Sequence, residues 1–232
     1  MNELSILLVS AASLGFIHTI LGPDHYLPFI VLSKARQWSS SKTMWITFIS
    51  GIGHVGSSVI IGMLGIALGI SLNKLEYFES FRGELVGWML FAFGVGYTIY
   101  GIYKYIKHSH HFHLPKFLLP KKIRDFQHLP TEEQKEDNTK LTPWILFLIF
   151  VFGPCEVLIP MLIFPAYQNS TYGMFMVALI FGIVTISTMM LVVYLGHKGT
   201  SFIKFKKHEK YLHLAAGILI LFSASGILFL GW

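Results

Sequence analysis

Two short stretches of this sequence place chemically active side chains inside otherwise apolar runs. One is Gly22-Pro23-Asp24-His25, with His18 one to two turns earlier; the other is Gly153-Pro154-Cys155-Glu156. A carboxylate at the centre of a bilayer costs about 2.5–3.5 kcal/mol on the insertion scale. A bound cation or proton offsets that cost, and ionisable residues inside a membrane carry function by default. Imidazole, thiolate and carboxylate donors together suit nickel, cobalt, zinc or copper better than magnesium or calcium. The Cys155 thiolate is also a nucleophile. Each residue has a plainer reading beside this one: Asp24 as a helix cap, His25 as a carbonyl partner, Cys155 as a small hydrophobe.

Three further groups join these candidates. His54 lies in Ser50-Gly51-Ile52-Gly53-His54-Val55-Gly56, on or near a face of small residues that lets another helix approach closely. It is either a structural hydrogen-bonder or a ligand. Thr185, Ser187 and Thr188 either line a pathway or bond carbonyls of their own helix. His108, His110, His111 and His113 put four imidazoles into six residues, a secondary metal site or a solvated loop. The expected substrate or metal site is therefore His18, Asp24, His25, His54, Cys155 and Glu156. Gly22, Pro23, Gly153 and Pro154 form its helix breaks.

Apolar helices must carry these residues. The chain is 53% hydrophobic and only 13% charged, whereas a soluble protein carries roughly a quarter charged residues. Six apolar stretches, near 4–33, 44–72, 84–106, 142–166, 171–196 and 211–232, are long enough to cross a membrane. They are continuously apolar rather than alternating, which favours helices over a β-barrel. The expected fold is an all-α polytopic membrane protein whose first and fourth helices are broken. Pro removes a backbone donor, so each break leaves carbonyls at one half-helix end and N–H groups at the other. The single cysteine rules out an internal disulfide and a two-cysteine relay. The first apolar run is too long for a cleavable signal and reads as the first span.

The net charge of +6 follows topology and not a nucleic-acid surface. Lys34, Arg36 and Lys42, the loop near 107–141, and the lysines from Lys198 to Lys210 share one side, while Lys74 and Arg82 hold the other. The positive-inside bias puts the basic loops in the cytoplasm of a bacterial or archaeal plasma (inner) membrane and both termini outside.

An offset of 131 residues carries Gly22-Pro23 onto Gly153-Pro154, Gly51 onto Gly182, Ser57 onto Thr188 and Gly65 onto Gly196. An offset of 130 carries Gly87 onto Gly217, Gly96 onto Gly226 and Gly101 onto Gly231. The expected organisation is a three-helix repeat over 1–106, a His-rich cytoplasmic linker over 107–141, and a second repeat over 142–232. Three helices are an odd number, so the repeats are inverted, the pattern of secondary transporters with a midplane site.

His18 with Gly22-Pro23-Asp24-His25 resembles the signature of nickel/cobalt transporters and urease-accessory-like membrane proteins of the lysine-exporter-type superfamily. The histidine-rich loop is similar to that of nickel/cobalt efflux members. The paired Gly-Pro motifs also resemble the transmembrane thiol–disulfide carriers of cytochrome c maturation, which have Pro-Cys in each repeat where this chain has Asp24 and Cys155.

The leading expectation is a non-enzymatic secondary transporter of a divalent transition metal, nickel or cobalt favoured and zinc or copper possible, working by alternating access. Proton coupling fits, because ligands lose protons on binding metal. The metal is substrate, and no organic cofactor is expected. The partners are the bilayer, the metal and a second copy packed through small-residue helix faces; nucleic acid is not among them. Two other readings stand beside it: an exporter of a small sulfur-containing anion, and a membrane thiol-redox carrier using Cys155.

Overall fold

The computed structural model describes residues 3–109, 141–155, 157–201 and 209–230. Every regular element among them is helical. The order is α1 (Glu3–Leu21), a 3₁₀ turn (Pro23–His25), α2 (Leu27–Ala35), α3 (Ser40–Ala67), α4 (Leu72–Ser109), α5 (Leu141–Phe152), α6 (Leu158–Tyr167), α7 (Thr171–Ser201) and α8 (Glu209–Ser225). A π-helical turn, Gly226–Leu230, extends α8.

Among the described residues, five helices are long and apolar enough to cross a membrane. The expected fourth span, 142–166, is broken at Gly153-Pro154 as the sequence suggests, into two shorter apolar helices, Leu141–Phe152 and Leu158–Tyr167. Pro154 has no N–H to continue the helix, and the N–H of Gly153 closes a tight turn on the Phe150 carbonyl at 3.1 Å. The first break works likewise: the Gly22 N–H ends α1 on the His18 carbonyl at 3.0 Å, and the chain restarts as α2.

The largest departure from expectation is α4. The sequence suggests a span from residue 84, yet the helix starts at Leu72 and runs 38 residues, about 57 Å at 1.5 Å per residue. Charges from Lys74 to Glu84 mask its first turns in hydropathy. The last helix also starts earlier than expected, at Glu209.

The bundle has an apolar outside. Ile6, Phe16, Leu21, Trp45, Ile60, Phe78, Leu191 and Phe222 are exposed, while Thr19, Thr43, Thr47, Ser50, Ser58 and Thr185 are buried. Small polar residues inside and large apolar ones outside suit lipid. Thr19, Thr43 and Thr47 donate to carbonyls four residues back, at 2.7, 3.0 and 2.9 Å, so they need no outside partner.

Packing pairs α1 with α7, α3 with α5 and α6, α3 with α7, and α4 with α8. Exchanging the first three expected spans for the last three maps this set of contacts onto itself. Close approach depends on missing side chains. A Cβ on Gly101 would lie 2.6 Å from the Leu214 backbone nitrogen, and one on Gly217 the same distance from that of Thr98. Gly51, Gly62 and Gly65 of α3 face Ile186, Leu162 and Leu75 of the same chain.

Tyr103 is exposed, but Tyr97 is buried and pairs with His213 of α8 at 3.0 Å. Lys104 Nζ lies 2.8 Å from the other ring nitrogen of His213. The sixth span thus carries a polar contact to the third.

Candidate functional site

Four elements converge between the two breaks. The last turn of α1 supplies His18, the 3₁₀ turn supplies Asp24 and His25, the middle of α3 supplies His54, and the α5–α6 break supplies Cys155. The His18 and His25 rings meet edge to face at 4.7 Å between centroids, and His25 meets His54 the same way at 5.0 Å. His25 is the middle member of a row of three imidazoles.

The row is oriented by its Nδ1 side. His25 Nδ1 lies 3.1 Å from the Gly22 carbonyl and 3.2 Å from Asp24 Oδ1. His54 makes a hydrogen bond to the backbone of Phe150. The Nε2 atoms of His18, His25 and His54 are all buried without a partner. Buried nitrogens are normally hydrogen-bonded, so three open Nε2 atoms in one small region mark a place for a proton or a ligand. A ring whose Nδ1–H is engaged leaves Nε2 as a lone pair.

Cys155 is fully buried. The ligand atoms of His18, His54 and Cys155 all lie within 4.8 Å of one another. Ligands on a tetrahedral zinc stand roughly 3.5 Å apart, given bonds of about 2.0–2.3 Å, so this set would contract to close on an ion. The arrangement can therefore do two things. The imidazoles can take the thiol proton and leave a thiolate, or imidazole and sulfur together can bind a soft cation. Gly153 lets the break lie against the histidine, since a Cβ there would be 3.0 Å from His54 Nδ1.

The expected residues divide in three. His18, His54 and Cys155 form the compact set. Asp24 and His25 stand beside it, with the carboxylate turned to His25. Asp24 makes no capping bond; neither the 3₁₀ turn nor α2 has a side-chain cap. The carbonyl contact foreseen for His25 is present. Glu156, His110, His111 and His113 lie outside the described residues, and His108 is in the last turn of α4. Of the α7 hydroxyls, Thr185 and Thr188 are buried and Ser187 is exposed. Thr185 Oγ1 has no hydrogen-bond partner and lies where a Cβ on Gly15 would come within 3.0 Å.

Glu79 and Arg82, by contrast, drew no attention as site residues. Arg82 reads in the sequence as a loop charge on the outer side, but it is 6% exposed and Glu79 is 1% exposed. Their side chains form an ion pair within α4. Arg82 also donates to Ser57 Oγ at 3.0 Å and to the carbonyls of Val151 and Gly153, each at 3.3 Å. Glu79 Oε2 accepts from Ser58 Oγ at 3.0 Å and from the Cys155 N–H at 3.2 Å. The Cys155 N–H also meets Ser58 Oγ at 2.9 Å. The available signal was Glu79 and Arg82 at i, i+3, one face of a helix, if the helix were taken to begin before residue 79.

A sequence model of the cytochrome c biogenesis protein transmembrane region matches residues 27–225. No curated protein and no solved structure matches the chain. The match covers Cys155, His54, Glu79 and Arg82, and begins just after Asp24 and His25. It sets aside the nickel/cobalt transporter resemblance suggested by His18 and Asp24-His25 and agrees with the resemblance carried by the paired Gly-Pro motifs. The chain belongs to the family of the cytochrome c biogenesis protein transmembrane region.

Proposed function

We propose that the chain is a membrane thiol carrier that passes reducing equivalents through Cys155. The observation that carries this reading is the Cys155 sulfur, set at a helix break beside the His18 and His54 imidazoles in a chain of the cytochrome c biogenesis family. An imidazole takes the thiol proton. The thiolate attacks the disulfide of a partner on one side, giving a Cys155–partner disulfide and releasing one partner thiolate. A thiolate from a dithiol partner on the other side then attacks the Cys155 sulfur, and the first partner leaves fully reduced. The second thiolate of the dithiol attacks its own sulfur in the new mixed disulfide, which frees Cys155 and leaves the second partner oxidised. Two electrons cross, and one cysteine serves both sides.

Cys155 is fully buried, so each exchange needs the site to open to that side. Two inverted three-helix repeats rocking about the site provide this. The exchange-symmetric packing of α1 with α7 and α3 with α5 and α6 supports such repeats, with α5 and α6 together making one crossing. The basic loops face the cytoplasm of a plasma membrane, and the protein acts as a carrier and not as an enzyme.

The test is transfer in proteoliposomes, with a dithiol outside and a disulfide-linked dye inside. The wild-type chain reduces the dye; Cys155→Ser abolishes the reduction. Full transfer by Cys155→Ser would sink the proposal.

A second reading, transport of a soft or borderline divalent metal ion, is favoured by one specific feature: two imidazoles, His18 and His54, beside a thiol, each with an unpartnered Nε2. In that case Cys155→Ser keeps metal flux with altered selectivity, and His18→Ala with His54→Ala abolishes it.

A further inference from the structure

Glu79 and Arg82 meet the second break with matched polarity. The carbonyls at the end of α5 form the negative end of a half-helix, and Arg82 donates to two oxygens there, those of Val151 and Gly153. Glu79 accepts from the N–H of Cys155, which lies in the break three residues ahead of α6, directly and through Ser58. A guanidinium only donates and a carboxylate only accepts, so each charge meets backbone groups of the kind it can bond. The two charges also satisfy each other inside the bundle. At the first break the chain's own Asp24 and His25 fill the gap.

We propose that Glu79 and Arg82 are positioning residues that hold the second break so that the Cys155 sulfur faces His18 and His54. Their effect depends on which charge meets which backbone groups, and not only on the two being paired. A staple between any two opposite charges would bind α4 to itself, since both residues lie on that helix. It is the contacts to Val151, Gly153 and Cys155 that reach across to α5 and the break. The significance of this role rests on Cys155 being the working group.

The experiment is alkylation of Cys155, the only cysteine, by membrane-permeant N-ethylmaleimide in native membranes. The wild-type thiol is buried and labels slowly. Glu79→Ala and Arg82→Ala each raise the labelling rate about tenfold, the scale of losing a hydrogen bond to a charged group. The decisive variant is the swap, Glu79→Arg with Arg82→Glu. It keeps an ion pair but sets a carboxylate against the carbonyls of Val151 and Gly153 and a guanidinium against the Cys155 N–H, and it labels as fast as the alanine variants. Slow, wild-type-like labelling of the swap would overturn the proposal in favour of a simple staple. So would slow labelling of both alanine variants.

If these variants do not insert, as judged by size-exclusion chromatography of a fluorescent fusion, Ser58→Ala is the second probe. It keeps both charges and removes the hydroxyl that the Cys155 N–H meets. Its labelling rises; an unchanged rate would overturn the proposal. The readout reports exposure of the thiol whether or not the chain carries anything. If Cys155→Ser retained transfer, the thiol-carrier reading would fail and the labelling result would stand by itself.

Discussion

Gly22-Pro23 and Gly153-Pro154 interrupt apolar helices by the same means, but the free backbone groups they create meet different surroundings. At the first break, polar groups come from the chain on either side: Asp24 and His25 follow the proline, and His25 bonds back to the Gly22 carbonyl. Its neighbours His18 and His54 present unpartnered Nε2 atoms. At the second break, a distant helix supplies the partners. Arg82 and Glu79 of α4 bond the backbone from Val151 to Cys155. One break is left with spare proton and ligand capacity, while the other has its backbone held beside a buried thiol. A site that needs a reactive sulfur at a fixed place and bases able to exchange protons is served by this division.

Loss of the held sulfur has the largest expected effect: Cys155→Ser abolishes dithiol-to-disulfide transfer across proteoliposomes. Next come the residues that hold it. Removing one partner of a buried ion pair costs about 3–5 kcal/mol, so Arg82→Ala lowers the thermal midpoint measured by chromatographic monodispersity more than any single change at the first break. A larger loss from Asp24→Ala would mean that the first break is the anchored one. The bases follow. Zinc slows maleimide labelling of the wild-type thiol, and His18→Ala with His54→Ala removes that protection; protection that persists would place zinc elsewhere. The smallest effect belongs to Asp24→Asn. It keeps an acceptor beside His25 Nδ1 and costs roughly 1 kcal/mol, the scale of one net hydrogen bond. A drop in stability matching that of Arg82→Ala would erase the contrast between the breaks.

Much of this contrast was legible in one dimension. The breaks could be found because Gly and Pro act on their own backbone wherever they stand. His18, Asp24, His25 and Cys155 could be singled out because a titratable or soft side chain is conspicuous in an apolar run. That His18, His54 and Cys155 meet while Asp24 turns to His25 could not be read. Residue 54 is distant in sequence from 155, and only the packing of α3 against α5 and α6 brings them together.

The same limit applied more strongly to Glu79 and Arg82. Hydropathy averages over a window, and the charges from Lys74 to Glu84 made the start of α4 look like a loop. Tyr97 is ambiguous for a related reason: an aromatic at a helix end is as compatible with lipid headgroups as with a buried His213. The sequence by itself determined what each residue imposes locally: which stretches enter lipid, where helices must break, and which chemical groups stand at the breaks. Tertiary structure decided which charges are buried, which backbone groups each one meets and which imidazoles surround the thiol. Those depend on how each helix is rotated against its neighbours, and the close glycine contacts that set this for α4 and α8 are made between residues more than a hundred positions apart.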